Sequence, residues 1–303
     1  LEKRQVSLFQ VWFQAIRFPS LTASLIPVML GGAFAVMDRA FQTVPFLLAL
    51  LASNLLHAGA NLFNDYFDSK TGADAADSLC ASGVIQKGWL TPQQVYQGGV
   101  VCFVLASLLG AYLVTRVGSG MLWFGLIGLL VGYCYTGGPF PLAYRGLGEL
   151  AAFVGMGPLL VLATYYAQMG MMRWTVFGGS IPIGLVAAAM LHANNLRDRE
   201  HDRLVGKITL ANLLSEKGAK QELTVLVFAA YAIQILLVSA GTLPKLSLIT
   251  LLSLPVAVQV IRKAWTSATP LEMNLVVGLT VLLHLVYGTA YALGLFGSVL
   301  FLQ

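Results

Sequence analysis

The chain has 303 residues, of which 57% are hydrophobic and only 10% are charged, with a formal net charge of +5. A soluble globular domain carries roughly 25% charged residues, so water is not the main solvent here, and basic residues dispersed among hydrophobic runs argue against a nucleic-acid partner. Three cysteines (Cys80, Cys102 and Cys134) without any C-x-x-C spacing argue against a disulfide framework and a zinc site.

Residues 1–19 carry Lys3, Arg4, Arg17 and several aromatics, and lack the cleavage site of a signal peptide. They read as an amphipathic segment on the membrane surface. A spanning helix needs about 20 mostly apolar residues. Nine runs qualify, near 20–37, 43–63, 95–115, 118–136, 148–168, 174–196, 221–240, 244–261 and 273–299. The expected fold is all-α: one polytopic membrane domain over 1–303, with nine transmembrane helices bundled around a central cavity. The last run is long, which predicts a tilt or a kink near Gly288 or Gly294. With the N-terminus inside, only Arg39, Arg116, Arg173 and Lys245 of the 18 basic residues fall outside. This positive-inside bias places the N-terminus and two long polar loops, 64–94 and 197–220, in the cytoplasm.

Both loops follow a helix that ends in Asn and Asp residues. In the first, Asn61, Asp65 and Asp68 stand at i, i+4 and i+7, on one face of a helix, with Asn64 beside them. In the second, Asn194, Asp198 and Asp202 stand at i, i+4 and i+8, with Asn195 and Arg197 between them. Spans two and six end alike, a faint echo of a duplicated four-helix unit. Gathered carboxylates repel one another and meet the wrong end of the helix dipole. Oxygen-rich sets suit Mg²⁺, which takes one or two carboxylates and shares the rest of its shell with water and substrate phosphate. A diphosphate bridged between the two strips would use all six oxygen-bearing side chains: Asn61, Asp65, Asp68, Asn194, Asp198 and Asp202.

The remaining polar residues leave alternatives open. Lys87 and Arg145 lie on the same side as the clusters, as phosphate-binding cations or as snorkelling interface residues. Arg197 lies inside the second motif, within reach of phosphate or a neighbouring Asp, and Lys207 sits in an already basic loop. Tyr135 and Tyr144 flank the Gly137-Gly138-Pro139 turn, as membrane anchors or as pocket lining. Asp74 and Asp77 stand further along the first loop and fit either reading. His57, His192, His284 and Gln234 are placed outside the metal site, as hydrogen-bonded packing.

With Asn64-Asp65-Tyr66-Phe67-Asp68 and Asp198-x-x-x-Asp202 in place, the sequence resembles the UbiA superfamily of intramembrane prenyltransferases over nearly its whole length. Within it, the nearest look is to the 1,4-dihydroxy-2-naphthoate prenyltransferases of menaquinone synthesis, the MenA family. Three stretches carry this: the first motif with Gly72-Ala73-Asp74 after it; Tyr135-Thr136-Gly137-Gly138-Pro139 followed by Tyr144-Arg145-Gly146-Leu147-Gly148-Glu149; and Asn194-Asn195-Leu196-Arg197-Asp198 with Gly206-Lys207-Ile208-Thr209-Leu210. Many relatives outside this branch have an Asp where Gly72 stands. The resemblance implies Mg²⁺-dependent transfer of a polyprenyl chain from its diphosphate to a small aromatic acceptor, with loss of CO₂ in the naphthoate branch. Other acceptors (4-hydroxybenzoate, homogentisate, a porphyrin, a glycerol-phosphate lipid) compete within the superfamily. A divalent-cation transporter competes from outside it, although a carrier's ligands belong near the bilayer midplane.

Overall fold

The structure, a computed structural model, describes residues 6–72 and 82–301; Lys3, Arg4, Asp74, Asp77 and Cys80 lie outside the described residues. Every element is helical, and among the described residues the one β-type pairing is an isolated parallel bridge between Arg145 and Ile208. An interfacial helix α1 (Leu8–Ala15) opens on a capping box in which Ser7 and Gln10 satisfy each other's backbone N–H groups. After it come α2 (Thr22–Met37), α3 (Thr43–Thr71), α4 (Pro92–Val117) and α5 (Gly120–Cys134). A broken span follows, α6 (Gly148–Val154) and α7 (Leu160–Met169), joined by the π-helical turn Gly155–Leu159. Then come α8 (Trp174–Arg197), the short α9 (Arg199–Leu204) and α10 (Leu210–Leu213), and α11 (Glu216–Ser239). A 3₁₀ segment, Lys245–Ser253, leads into α12 (Leu254–Thr266), and α13 (Pro270–Phe301) closes the bundle.

Eight of these segments are long and apolar enough to cross a membrane; the remaining expected span is α5, which has only 15 residues. The chain is an integral, multi-pass membrane protein. Leu108, Trp123, Leu130, Leu236 and Leu252 stand exposed on the outside of the bundle, where the solvent is hydrocarbon and exposure carries no penalty.

Two expectations about helix shape change. The last span is not kinked: α13 runs unbroken through Gly288 and Gly294. Gly294 instead admits the backbone of the facing 3₁₀ segment, since a Cβ there would lie 2.7 Å from the Leu246 carbonyl oxygen. The break falls in the fifth span, at Gly157-Pro158, where Gly157 leaves helical geometry (φ −116°, ψ −105°). The first polar loop also starts later than expected. Residues 64–71 continue α3, and Gly72 ends it in the left-handed conformation (φ 77°) that glycine adopts most easily.

The main core is shared by α2, α7, α8, α11, α12 and α13, around Ile26, Leu30, Tyr165, Ile183, Leu223, Leu283 and Tyr287. A smaller cluster seats the interfacial segment: Val11 and Ala15 of α1 pack with Leu62 of α3, Val95 of α4, and Val84 and Leu90 of the connection between them. This second cluster pins the end of α1 beside the end of α3.

Candidate active site

The last two turns of α3 carry Asp65 and Asp68 with their carboxylates almost fully buried, 2% and 5% exposed as residues. Each is held by groups from elsewhere in the chain. Arg17 forms an ion pair with Asp65 Oδ1, and the Ser82 hydroxyl donates to Oδ2. Arg17 is delivered by the docked α1 and by its own left-handed backbone (φ 52°, ψ 51°), which turns the chain into the 3₁₀ turn Phe18–Leu21. Asp68 receives the Tyr144 hydroxyl at 2.7 Å and the Asn64 amide at 2.9 Å. Asn61 donates its amide to the Ile16 carbonyl (3.0 Å) and to Ser20 (3.1 Å), so its Oδ1 is turned elsewhere.

The second strip straddles a helix break. Asp198 ends α8 and precedes α9, and Asp202 N–H returns to the Asp198 carbonyl at 2.8 Å. Arg197 grips Asp198 with two parallel bonds of 2.8 and 2.7 Å, the fork geometry that suits guanidinium and carboxylate. On its other side Arg197 donates to Asn274 of α13 at 3.2 Å. Lys207 lies 3.4 Å from Asp202 Oδ1, and Oδ2 of that buried carboxylate has no hydrogen-bond partner among the described residues. Asn194 donates to the Met190 carbonyl at 3.0 Å, again leaving the amide oxygen to face away.

The two strips meet. Tyr144 touches Asp68, the Lys207 ammonium lies 5.9 Å from the centre of the Tyr144 ring, and Lys207 pairs with Asp202. Tyr135 lies within electrostatic reach of Lys207, Glu149, Asp68 and Arg17. Burial pushes both tyrosine phenols above their ordinary range, helped at Tyr144 by the Asp68 charge, so both remain protonated donors. Burial also pushes Asp202 up to about 6, with the Asp198 charge adding to it and Lys207 opposing it. Among the described residues no three His, Cys, Asp or Glu side chains converge on a single ion position. The carboxylates present short, separate donor sets rather than a protein cage.

The sequence profile of the UbiA prenyltransferase family matches residues 24–276. The chain belongs to that family. It is a membrane prenyltransferase, and its fold is that of solved UbiA homologs. That from Aeropyrum pernix K1 superposes with a TM-score of 0.70 at 18% identity, covering 89% of this chain and 96% of the other. One from Archaeoglobus fulgidus bound to DMAPP and Mg²⁺ gives 0.61 at 16% identity, covering 93% and 98%. In sequence, the chain is 32% identical to the 1,4-dihydroxy-2-naphthoate octaprenyltransferase of Bacillus subtilis, over 95% of this chain and 93% of that one.

Not every residue singled out from sequence joins the UbiA-type cluster. Lys87 is exposed and rests on the Trp89 ring at 4.5 Å, and Arg145 is exposed over Phe140 at 4.5 Å. Neither is brought against the four carboxylates. Asn195 is turned to the rear, donating to Glu149 at 2.9 Å. Behind it lies a buried network: His192 places Nδ1 3.1 Å from Glu149 and Nε2 2.9 Å from the Ala219 carbonyl. Both nitrogens face acceptors, the pattern of a doubly protonated ring. His192 and Gln234 thus are hydrogen-bonded packing, as expected, whereas His284 has no partner at either nitrogen among the described residues. Sequence reasoning missed Arg17, Ser82, Glu149 and Asn274. The one signal near Arg17 is the Phe18-Pro19 turn after an amphipathic stretch, which says nothing of what the guanidinium touches.

Proposed function

We propose that this enzyme transfers a polyprenyl group from its allylic diphosphate to 1,4-dihydroxy-2-naphthoate, with loss of CO₂, as a step of menaquinone biosynthesis, and that it requires Mg²⁺. The acceptor rests on one observation, the near full-length match to the Bacillus subtilis naphthoate enzyme. The metal rests on the donor set. Four buried carboxylates cluster at one end of the bundle, one oxygen of Asp202 lacks a partner among the described residues, and the amides of Asn61 and Asn194 point their nitrogens at backbone carbonyls. These oxygens fit an ion whose coordination is completed by substrate phosphate. Asn61, Asp65, Asp68, Asn194, Asp198 and Asp202 would hold it, and Mg²⁺ so bound supplies charge neutralisation for the departing diphosphate.

The chain's own groups do the rest. Arg17, Arg197 and Lys207 each pair with one of the carboxylates, so substrate phosphate enters a site whose cations are already oriented. Tyr144 and Tyr135, protonated and half-buried, offer O–H donors at the strips. The tail of the substrate needs no polar partner and lies among apolar helices, where water is kept from the allylic cation. By the positive-inside bias the site faces the cytoplasm, with the single domain spanning the full chain and the interfacial segment before residue 20 closing one side.

The test is purified protein in detergent with labelled geranylgeranyl diphosphate and a panel of acceptors. Naphthoate should be prenylated with release of labelled carboxyl carbon, only when Mg²⁺ is present. Preferential transfer to 4-hydroxybenzoate or to a glycerol-phosphate lipid would replace this acceptor; Mg²⁺ flux into liposomes without prenyl transfer would replace the enzyme reading.

A further inference from the structure

The polar face of α3 does not stop at Asn61. Read inward in helical steps it continues through His57 to Asn54, so that Asn54, His57, Asn61, Asp65 and Asp68 form one stripe. The orientation of His57 follows from its neighbours. Its Nδ1 lies 3.1 Å from the Ser24 hydroxyl of α2. Ser24 has one proton and two acceptors competing for it, the Leu21 carbonyl at 2.9 Å and Asn54 Oδ1 at 3.3 Å. Asn54 in turn has its amide nitrogen on the Leu50 carbonyl at 2.8 Å, which fixes its oxygen toward Ser24. At the Ser24 oxygen the imidazole must therefore be the donor. His57 is held as the Nδ1–H tautomer, and Nε2 keeps a bare lone pair to which no described residue donates.

A second imidazole comes from α13. His284 of α13 is completely buried, neither nitrogen has a hydrogen-bond partner among the described residues, and it lies within electrostatic reach of His57. Burying an imidazole with both nitrogens unsatisfied is unfavourable, and no apolar packing role calls for it. The two rings come from different helices, α3 and α13, and α2 packs against both of these. His57 stands eight residues before Asp65, ~12 Å along a helix axis. That length accommodates a diphosphate at the carboxylates, a near-attack gap of about 3–3.5 Å and one aromatic ring with its hydroxyl at the imidazole.

We propose that His57 and His284 form the subsite for the aromatic acceptor, with His57 Nε2 as the base that takes the proton of a ring hydroxyl. The inference rests on the prenyl-transfer reading above and adds the group that activates the acceptor. As the C1–O bond of the prenyl diphosphate breaks, its electron pair leaves on the diphosphate oxygen. The acceptor ring supplies the pair for the new C–C bond at the carboxylate-bearing carbon. The adjacent hydroxyl gives its proton to His57 Nε2 and becomes a carbonyl. When the carboxylate leaves as CO₂, its C–C pair restores the ring and the oxygen takes the proton back from His57. No proton is released overall, so a base enclosed within the bundle needs no path to water.

Steady-state kinetics on His57→Ala, His57→Gln and His284→Phe test this with naphthoate as the acceptor. His57→Ala should raise the acceptor KM about tenfold and lower kcat by on the order of 10²-fold. His57→Gln, which keeps an acceptor atom without basicity, should hold KM near wild type while kcat falls as in the alanine variant. His284→Phe should raise the acceptor KM alone. In all three, the KM for geranylgeranyl diphosphate and the slow acceptor-free release of diphosphate should stay within about twofold of wild type, the size of effect expected where no direct contact is lost. Unchanged acceptor kinetics in both His57 variants, or a parallel rise in the prenyl diphosphate KM, overturns the assignment. A wild-type enzyme that does not prenylate naphthoate at all overturns the underlying reading instead, before any variant is measured.

Discussion

At the end of the bundle where α2 gives way to α3, Asp38 meets Arg173 at 2.8 Å and the Tyr165 hydroxyl, while Gln168 holds the Gln42 backbone across the same gap. At the other end, Asp65, Asp68, Asp198 and Asp202 share Arg17, Arg197, Lys207 and Tyr144, and one Asp202 oxygen is left over. Both ends place acid where a helix leaves the membrane. The first is a clasp, in which one carboxylate meets one arginine and one tyrosine hydroxyl and the spans are tied. The second gathers more buried negative charge than a clasp needs, and such an excess persists only where a ligand with the opposite requirement arrives.

Substitutions can break this contrast. Asp65→Ala or Asp198→Ala should lower turnover by about 10²–10³-fold or more, measured with labelled prenyl diphosphate at saturating Mg²⁺, with the protein still monodisperse in detergent. Near-normal rates in either would reduce the site end to a second clasp. A smaller effect sharpens the metal assignment. Burial pushes the Asp202 carboxyl up to about 6. A carboxyl with a raised folded-state pKa favours the fold while protonated, and that contribution is lost as pH rises through about 6. The ion-free protein therefore loses this contribution between about pH 4 and pH 7, and Mg²⁺, which needs the carboxylate, should raise the melting temperature more at about pH 7.5 than at about pH 5. Equal Mg²⁺ shifts at both pH values would remove Asp202 from the ligand set. The smallest effect belongs to the clasp. Arg173→Ala leaves activity unchanged and costs about 1 kcal/mol or less, read as a small drop in melting temperature, because half of that arginine side chain is exposed.

The bundle was legible because apolar runs of spanning length and the bias of basic residues are properties of composition along the chain. The carboxylates were legible because their spacing on one helix face needs no tertiary information. The extension of α3 through residue 71 was not, since Asn64, Asp65 and Asp68 read as loop residues until their burial is seen. Arg17 was hidden for a different reason: its position depends on Val11 and Ala15 docking against Leu62 and Val84, a packing event no local motif announces. The same limit applies to His57 and His284, which lie on different helices and which no local motif connects. Lys87 and Arg145 show the converse, cations on the correct side whose side chains settle on aromatic rings instead.

The neutralising partner of each motif is encoded close to it. Arg17 precedes Asp65 by 48 positions, Arg197 is the immediate neighbour of Asp198, and Lys207 follows within the same polar segment as Asp202. During synthesis, then, Asp65 and Asp198 each have a neutralising arginine within their own half of the protein, before the other half is needed. The encounter of the two halves, through Tyr144 on Asp68, can come last.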